Sequence, residues 1–132
     1  MKGFKSNIEK DTLENNNFRK VLYTGKHLQL VLMSLKPGED IGAETHPGND
    51  QFFRFESGSG KCIIDETEYA VKDGDVVVIP AGAKHNIINT DAKTDLKMYT
   101  LYGPPNHKDH ISRATKEDAE KMKEEFDGKT TE

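Results

Sequence analysis

The sequence predicts an all-β fold, an antiparallel sandwich or barrel, and three observations predict it. Between residues 21 and 102, short apolar runs of strand length follow one another, each closed by Gly, Pro, Asn or Asp. These runs are rich in Val, Ile, Phe and Tyr, which suit a pleated, half-buried surface. The flanks are polar, and only 33% of the 132 residues are apolar, so one core must be concentrated in those strands.

The elements follow in order. Residues 1–20 show little periodicity and read as a polar N-terminal arm or irregular lead-in. LQLVLMSL (28–35) is a strand ended by Pro37-Gly38. QFFRF (51–55) follows the turn-forming HPGND and stops before GSG at 58–60. KCII (61–64), YAV (69–71), DVVVI (75–79), NIIN (86–89) and LKMYTLY (96–102) complete a set of about seven. The tail 103–132 opens with GPPNHKDH, where two prolines preclude regular structure. Thr115 then makes a fair N-cap, with Asp118 three residues on, for a short helix over 116–126. Met122 and Phe126, four apart, would form its apolar stripe. Without repeats or low-complexity blocks, residues 1–132 read as a single domain with its strands over about 21–102.

Charge and composition exclude several classes. The net charge is −4 and the lysines are interspersed with carboxylates, so the dense basic face a nucleic-acid binder needs is missing. No apolar run approaches the roughly 18–20 residues that span a bilayer. The N-terminus MKGFKSNIEKD lacks the apolar core of a secretory signal, and the single Cys62 cannot form an internal disulfide. A cytoplasmic location is expected, with Cys62 buried as a small hydrophobe.

Of the five histidines, His27 reads as a surface or core residue, and His107 and His110, in the Pro-rich tail, could approach a barrel mouth but read first in the same way; none of the three stands in a distinctive setting. His46 and His85 do. Gly74, Pro80, Gly82, His85 and Asn89 stand at spacings that match one of the two sequence motifs of the cupin superfamily at every fixed position. A chance match is on the order of 10⁻⁷ per starting point. Gly38, His46 and Gly58 match the other motif, in which Glu44 stands where a first His is expected and Gln51 where a Glu is expected. Over residues 28–102 the chain therefore resembles a small single-domain microbial cupin of the cupin 2, mannose-6-phosphate isomerase-like type. The resemblance implies a small β-barrel of the jelly-roll (double-stranded β-helix) type, a homodimer, and a divalent metal held inside the barrel. The N-terminal arm or helix 116–126 would cover an edge strand.

The residues support a site. Glu44 and His46 are two apart, so on a strand they face the same way, and Gln51 and His85 join them only if the sheet curves round. Glu44, His46, Gln51 and His85 offer two nitrogens and two oxygens, a set for Mn, Fe, Ni or Zn. Either all four are ligands, or His46, Gln51 and His85 hold the ion and Glu44 is a general base; in a third reading the groups bond to each other and to water. Alternation turns Phe53 and Phe55 inward with Gln51, and Ile87 and Asn89 inward with His85, so Phe53, Phe55 and Ile87 are candidate substrate-binding residues. On the last strand either Lys97, Tyr99 and Leu101 or Met98 and Thr100 face in; Tyr99 is favoured, as a catalytic hydroxyl in an apolar cavity. The function expected is metal-dependent isomerisation or tautomerisation of a small oxygen-rich, sugar-like molecule. The alternatives are a non-catalytic module that binds a small ligand or metal, and a metal-dependent dioxygenase.

Overall fold

A computed structural model describes all residues 1–132. The N-terminal segment departs from the expected irregular arm. Residues Ile8–Glu14 form helix α1, which Asn7 starts by accepting a hydrogen bond from the Lys10 N–H at 3.0 Å. Sequence periodicity misses it because a helix of two turns buries little: Thr12 is its single buried residue.

Ten strands follow: β1 (Arg19–Thr24), β2 (Gln29–Leu35), β3 (Glu44–Thr45), β4 (Asp50–Ser57), β5 (Ser59–Ile64), β6 (Thr67–Lys72), β7 (Val76–Ile79), β8 (Lys84–Asn89), β9 (Leu96–Gly103) and β10 (Ser112–Arg113). They form two antiparallel sheets, one ordered β10-β1-β2-β9-β4-β7 and the other β3-β8-β5-β6. The fold is mostly β, as expected, but the sheets are not hydrogen-bonded into a closed barrel. β7 ends one sheet and β6 the other, so the core is filled between two layers.

Alternation sets that core. On β4, Gln51, Phe53 and Phe55 are buried while Phe52 and Arg54 are half-exposed. On β8, His85, Ile87 and Asn89 are buried. On β9 the buried set is Leu96, Met98, Thr100 and Tyr102, so the favoured register for this strand is corrected. Tyr99 points out of the core and packs beside Phe52, ring centroids 6.3 Å apart, on the face of the sheet where α1 lies. Lys97 fixes α1 there, its ammonium donating to the Asn15 carbonyl and to Asn16 Oδ1. The N-terminal segment thus covers a face of its own sheet, rather than an edge strand.

Two glycines are needed where they stand. Gly82 has φ +90° in the turn that leads into His85. A Cβ at Gly58 would lie 2.4 Å from the Asp95 carbonyl oxygen, where the start of β5 approaches the start of β9.

Helix α2 starts as expected, with Thr115 Oγ1 accepting from the Asp118 N–H, but covers only Lys116–Lys121. The Met122 carbonyl is taken by the Arg113 guanidinium, at 3.2 and 3.1 Å, and the Phe126 N–H donates to the Asn106 carbonyl at 3.1 Å. Those bonds pull residues 122–126 off the helical path and towards the loop after β9. Met122 and Phe126 therefore form no helical stripe, and Met122 is exposed.

Candidate metal centre and cavity

Glu44 and His85 are register partners across β3 and β8. His46 follows β3 at once, in the HPGND turn, and that turn is tied to the PAGAK turn before His85. The Gly82 N–H donates to the His46 carbonyl at 3.0 Å, and the Ala81 N–H donates to Asp50 Oδ1 at 2.9 Å. Main-chain bonds thus bring together residues almost forty positions apart. Glu44, His46 and His85 each present a ligand atom within 4.8 Å of the others.

The local chemistry suits an ion. His85 Nδ1 lies 3.0 Å from the Ala83 carbonyl oxygen, to which it can only donate. Its Nε2 is the nitrogen left for the site, and it is buried with no partner. This is the arrangement in which an outer carbonyl orients a ligating imidazole. Gln51 sits deeper on β4. Its amide donates to Thr100 Oγ1 at 3.0 Å, and its Oε1 is also buried and unpaired. An orphaned buried acceptor costs about 1–3 kcal/mol, a cost that a cation at His85 Nε2 would relieve. Glu44 Oε2 is 3.1 Å from His46 Nε2. Burial, the strongest influence on Glu44, raises its pKa. The hydrogen bond from His46 and the charges of His46, Arg19 and His85 together outweigh burial and hold the carboxyl below its ordinary value.

A cavity of about 410 Å³ opens onto this cluster. Glu44 and His46 lie on its wall beside Arg19 and His107, with Phe18, Ile41 and Ile111 as an apolar side and residues 116–125 as the other. Phe53, Phe55 and Ile87 are almost fully buried in the core and do not line it, which revises their expected substrate-binding role. They lie further along their strands, where the two sheets close on each other. Tyr99, on the outer face, is likewise removed from the site.

Three residues that the sequence did not single out take part. Tyr102 packs edge-on to His46, with centroids 5.7 Å apart, and its hydroxyl is 3.2 Å from His107 Nε2. Burial raises the Tyr102 pKa far above its ordinary value. Burial, aided by the charges of Arg19 and His46, pulls His107 down to about 3. Both are neutral at pH 7. Buried Gln29 fixes the backbone of His107, its Oε1 accepting from the His107 N–H at 2.9 Å and its amide donating to the His107 carbonyl at 2.7 Å. Arg19 is the third. Correct alternation on β9 would have exposed Tyr102, two residues beyond Thr100; no sequence signal marks Arg19. His27 is exposed, and His110 is exposed beside Asp109 at 3.3 Å.

Comparison with known proteins agrees with this fold. The sequence profile of the Cupin domain family matches residues 31–102. The chain is 47% identical over 124 residues to YrkC of Bacillus subtilis, covering 89% of this chain and 66% of that protein. It is 45% identical over 104 residues to L612 of Acanthamoeba polyphaga mimivirus, covering 76% and 65%. The chain thus spans just under two thirds of the length of these curated relatives. The crystal structure of BH2720 from Bacillus halodurans superposes with a TM-score of 0.87 at 41% identity, over 90% of this chain and 94% of that one.

Proposed function

The chain belongs to the Cupin domain family, and from that premise we propose that it is a metal-dependent enzyme of the isomerase or tautomerase type, moving a proton on a small oxygen-rich, sugar-like molecule. One observation carries the reading: Glu44, His46 and His85 converge within 4.8 Å, Glu44 and His46 lie on the wall of a cavity, and the Nε2 of buried His85 is unpaired.

In this reading His46 and His85 hold one divalent ion of the Mn, Fe, Ni or Zn group, with Gln51 Oε1 as a neutral oxygen donor behind them. When bound, the ion supplies Lewis acidity to a substrate carbonyl or hydroxyl. Glu44 is the base. Its carboxyl is ionised at neutral pH, it lies on the cavity wall, and no bond engages its Oε1. Tyr102 and His107, both neutral, back His46 without adding charge. Phe18, Ile41 and Ile111 exclude water from one side.

The test is proton exchange. The metal-loaded protein is incubated in deuterium oxide with a panel of aldoses, ketoses and uronates. Deuterium should enter the carbon next to the carbonyl of at least one of them, with no dependence on oxygen. Absence of exchange across the panel contradicts the enzymatic reading, and oxygen-dependent turnover favours a dioxygenase.

A further inference from the structure

Arg19 is one of three arginines in the chain. Arg54 pairs with Glu56 at 3.0 Å, and Arg113 with Glu124 at 3.3 Å. Arg19 pairs with no carboxylate. Its Nε is buried without a hydrogen-bond partner, and its guanidinium rests 5.3 Å from the Phe18 ring centroid. An Nε–H buried without an acceptor is costly unless something fills it.

Its position says what that is. Arg19 lies two residues from buried Val21 on β1, so its side chain leaves the strand on the inner face. It lines the cavity together with Glu44, His46 and His107, and its charge is felt at Glu44, Tyr102 and His107. The other charges of the cavity are occupied or peripheral. Lys116 is paired with Asp40, and Glu124 with Lys108 and Arg113. Glu120, Lys123 and Glu125 are exposed at the rim. At the inner end one guanidinium therefore faces one carboxylate. A divalent ion on the Glu44, His46 and His85 cluster would leave that end strongly positive.

We propose that Arg19 is the anion-recognising residue of this cavity and that the molecule it takes is a small organic carboxylate. The planar fork of a guanidinium matches the two oxygens of a carboxylate. Phe18, Ile41 and Ile111 give the carbon skeleton an apolar side. A hydroxyl or carbonyl of the same molecule is then directed at the Glu44 and His46 wall. This deepens the proposed function and rests on the same cavity being the substrate site.

The experiment is calorimetric titration of the full chain, with and without metal, using oxalate, pyruvate, glycerate and galacturonate. Inorganic phosphate and galactose serve as the phosphate and neutral arms. At least one carboxylate should bind more tightly than either. Its affinity should fall about ten- to hundredfold in Arg19→Gln and by less in Arg19→Lys, which keeps the charge but not the fork. Metal affinity in Arg19→Gln should not weaken, because a neighbouring cation has been removed. Equal affinity for the carboxylate in wild type and Arg19→Gln overturns the proposal, as does binding of none of the four acids, or tighter binding of phosphate. A chain that takes up no metal yet binds a carboxylate through Arg19 contradicts the proposed function and supports this inference.

Discussion

Glu44 and His85 are opposite one another in the β3–β8 ladder, so the carboxylate that stands where the family pattern has a histidine is held by main-chain register against His85. The exchange is therefore not a loose side chain in a disrupted site. It places an ionised oxygen on the cavity wall, 3.1 Å from His46.

That placement separates the roles of Glu44 and His85. Glu44→Gln should lower the rate of substrate proton exchange by about 10²–10⁴-fold, the contribution of a positioned general base, while metal binding weakens modestly. His85→Ala should weaken metal binding by at least about a hundredfold, more than loss of an outer partner of a ligand costs. Metal titration and exchange rates on both variants check this; the reverse pattern would assign Glu44 as ligand only.

Gln51 reports whether its buried oxygen faces the ion. In Gln51→Glu without metal, a second carboxylate enters a closed space, and stability should drop by about 1–3 kcal/mol. With saturating metal the variant should regain more than the wild type does. Melting curves with chelator and with metal give both numbers. Equal metal stabilisation in the two proteins would place Gln51 outside the ligand set.

Much of this was legible in the sequence and some was not, for identifiable reasons. The motif around His85 is local: Gly74, Pro80, Gly82 and Asn89 shape the turns on either side of β7 and the end of β8, so the sequence shows it directly. Glu44 and His46 follow from a two-residue spacing. The inward face of β9 is not local. Lys97, Tyr99 and Leu101 alternate as well as Met98, Thr100 and Tyr102, and pairing with β2 and β4 decides between them. Arg19 and His107 come from segments with no periodicity, and reach the cavity through β1 and the loop held by Gln29. Sheet closure was also misjudged, because strand patterns do not record whether edges meet.

His107 predicts an acid sensitivity. Its folded pKa of about 3 lies below the ordinary value of 6.5. The unfolded chain therefore binds the extra proton first as pH falls, and folding loses stability from about pH 6.5 downwards, by at most about 1.4 kcal/mol per pH unit. Above pH 6.5 this penalty is absent. Urea unfolding of wild type and His107→Gln between pH 8 and 5 should show their difference shrinking by about 1–2 kcal/mol at the acid end. Parallel curves would mean that His107 is accessible.

The two tyrosines of β9 should behave oppositely. Tyr102→Phe removes the hydroxyl beside His107 and should cost about 1 kcal/mol of stability. Tyr99→Phe, on the outer face with Phe52, should leave metal binding and proton exchange unchanged. Denaturant melts and exchange rates of both variants test the corrected register.

The most direct test of the central claim is metal stoichiometry. After supplementation with Mn, Fe, Ni or Zn and removal of loosely held ions, elemental analysis should find about one divalent ion per chain in the wild type. The His46→Ala, His85→Ala double variant, checked for folding by circular dichroism, should retain almost none. A wild-type chain that holds no ion after supplementation, or a double variant that holds as much as the wild type, would contradict it.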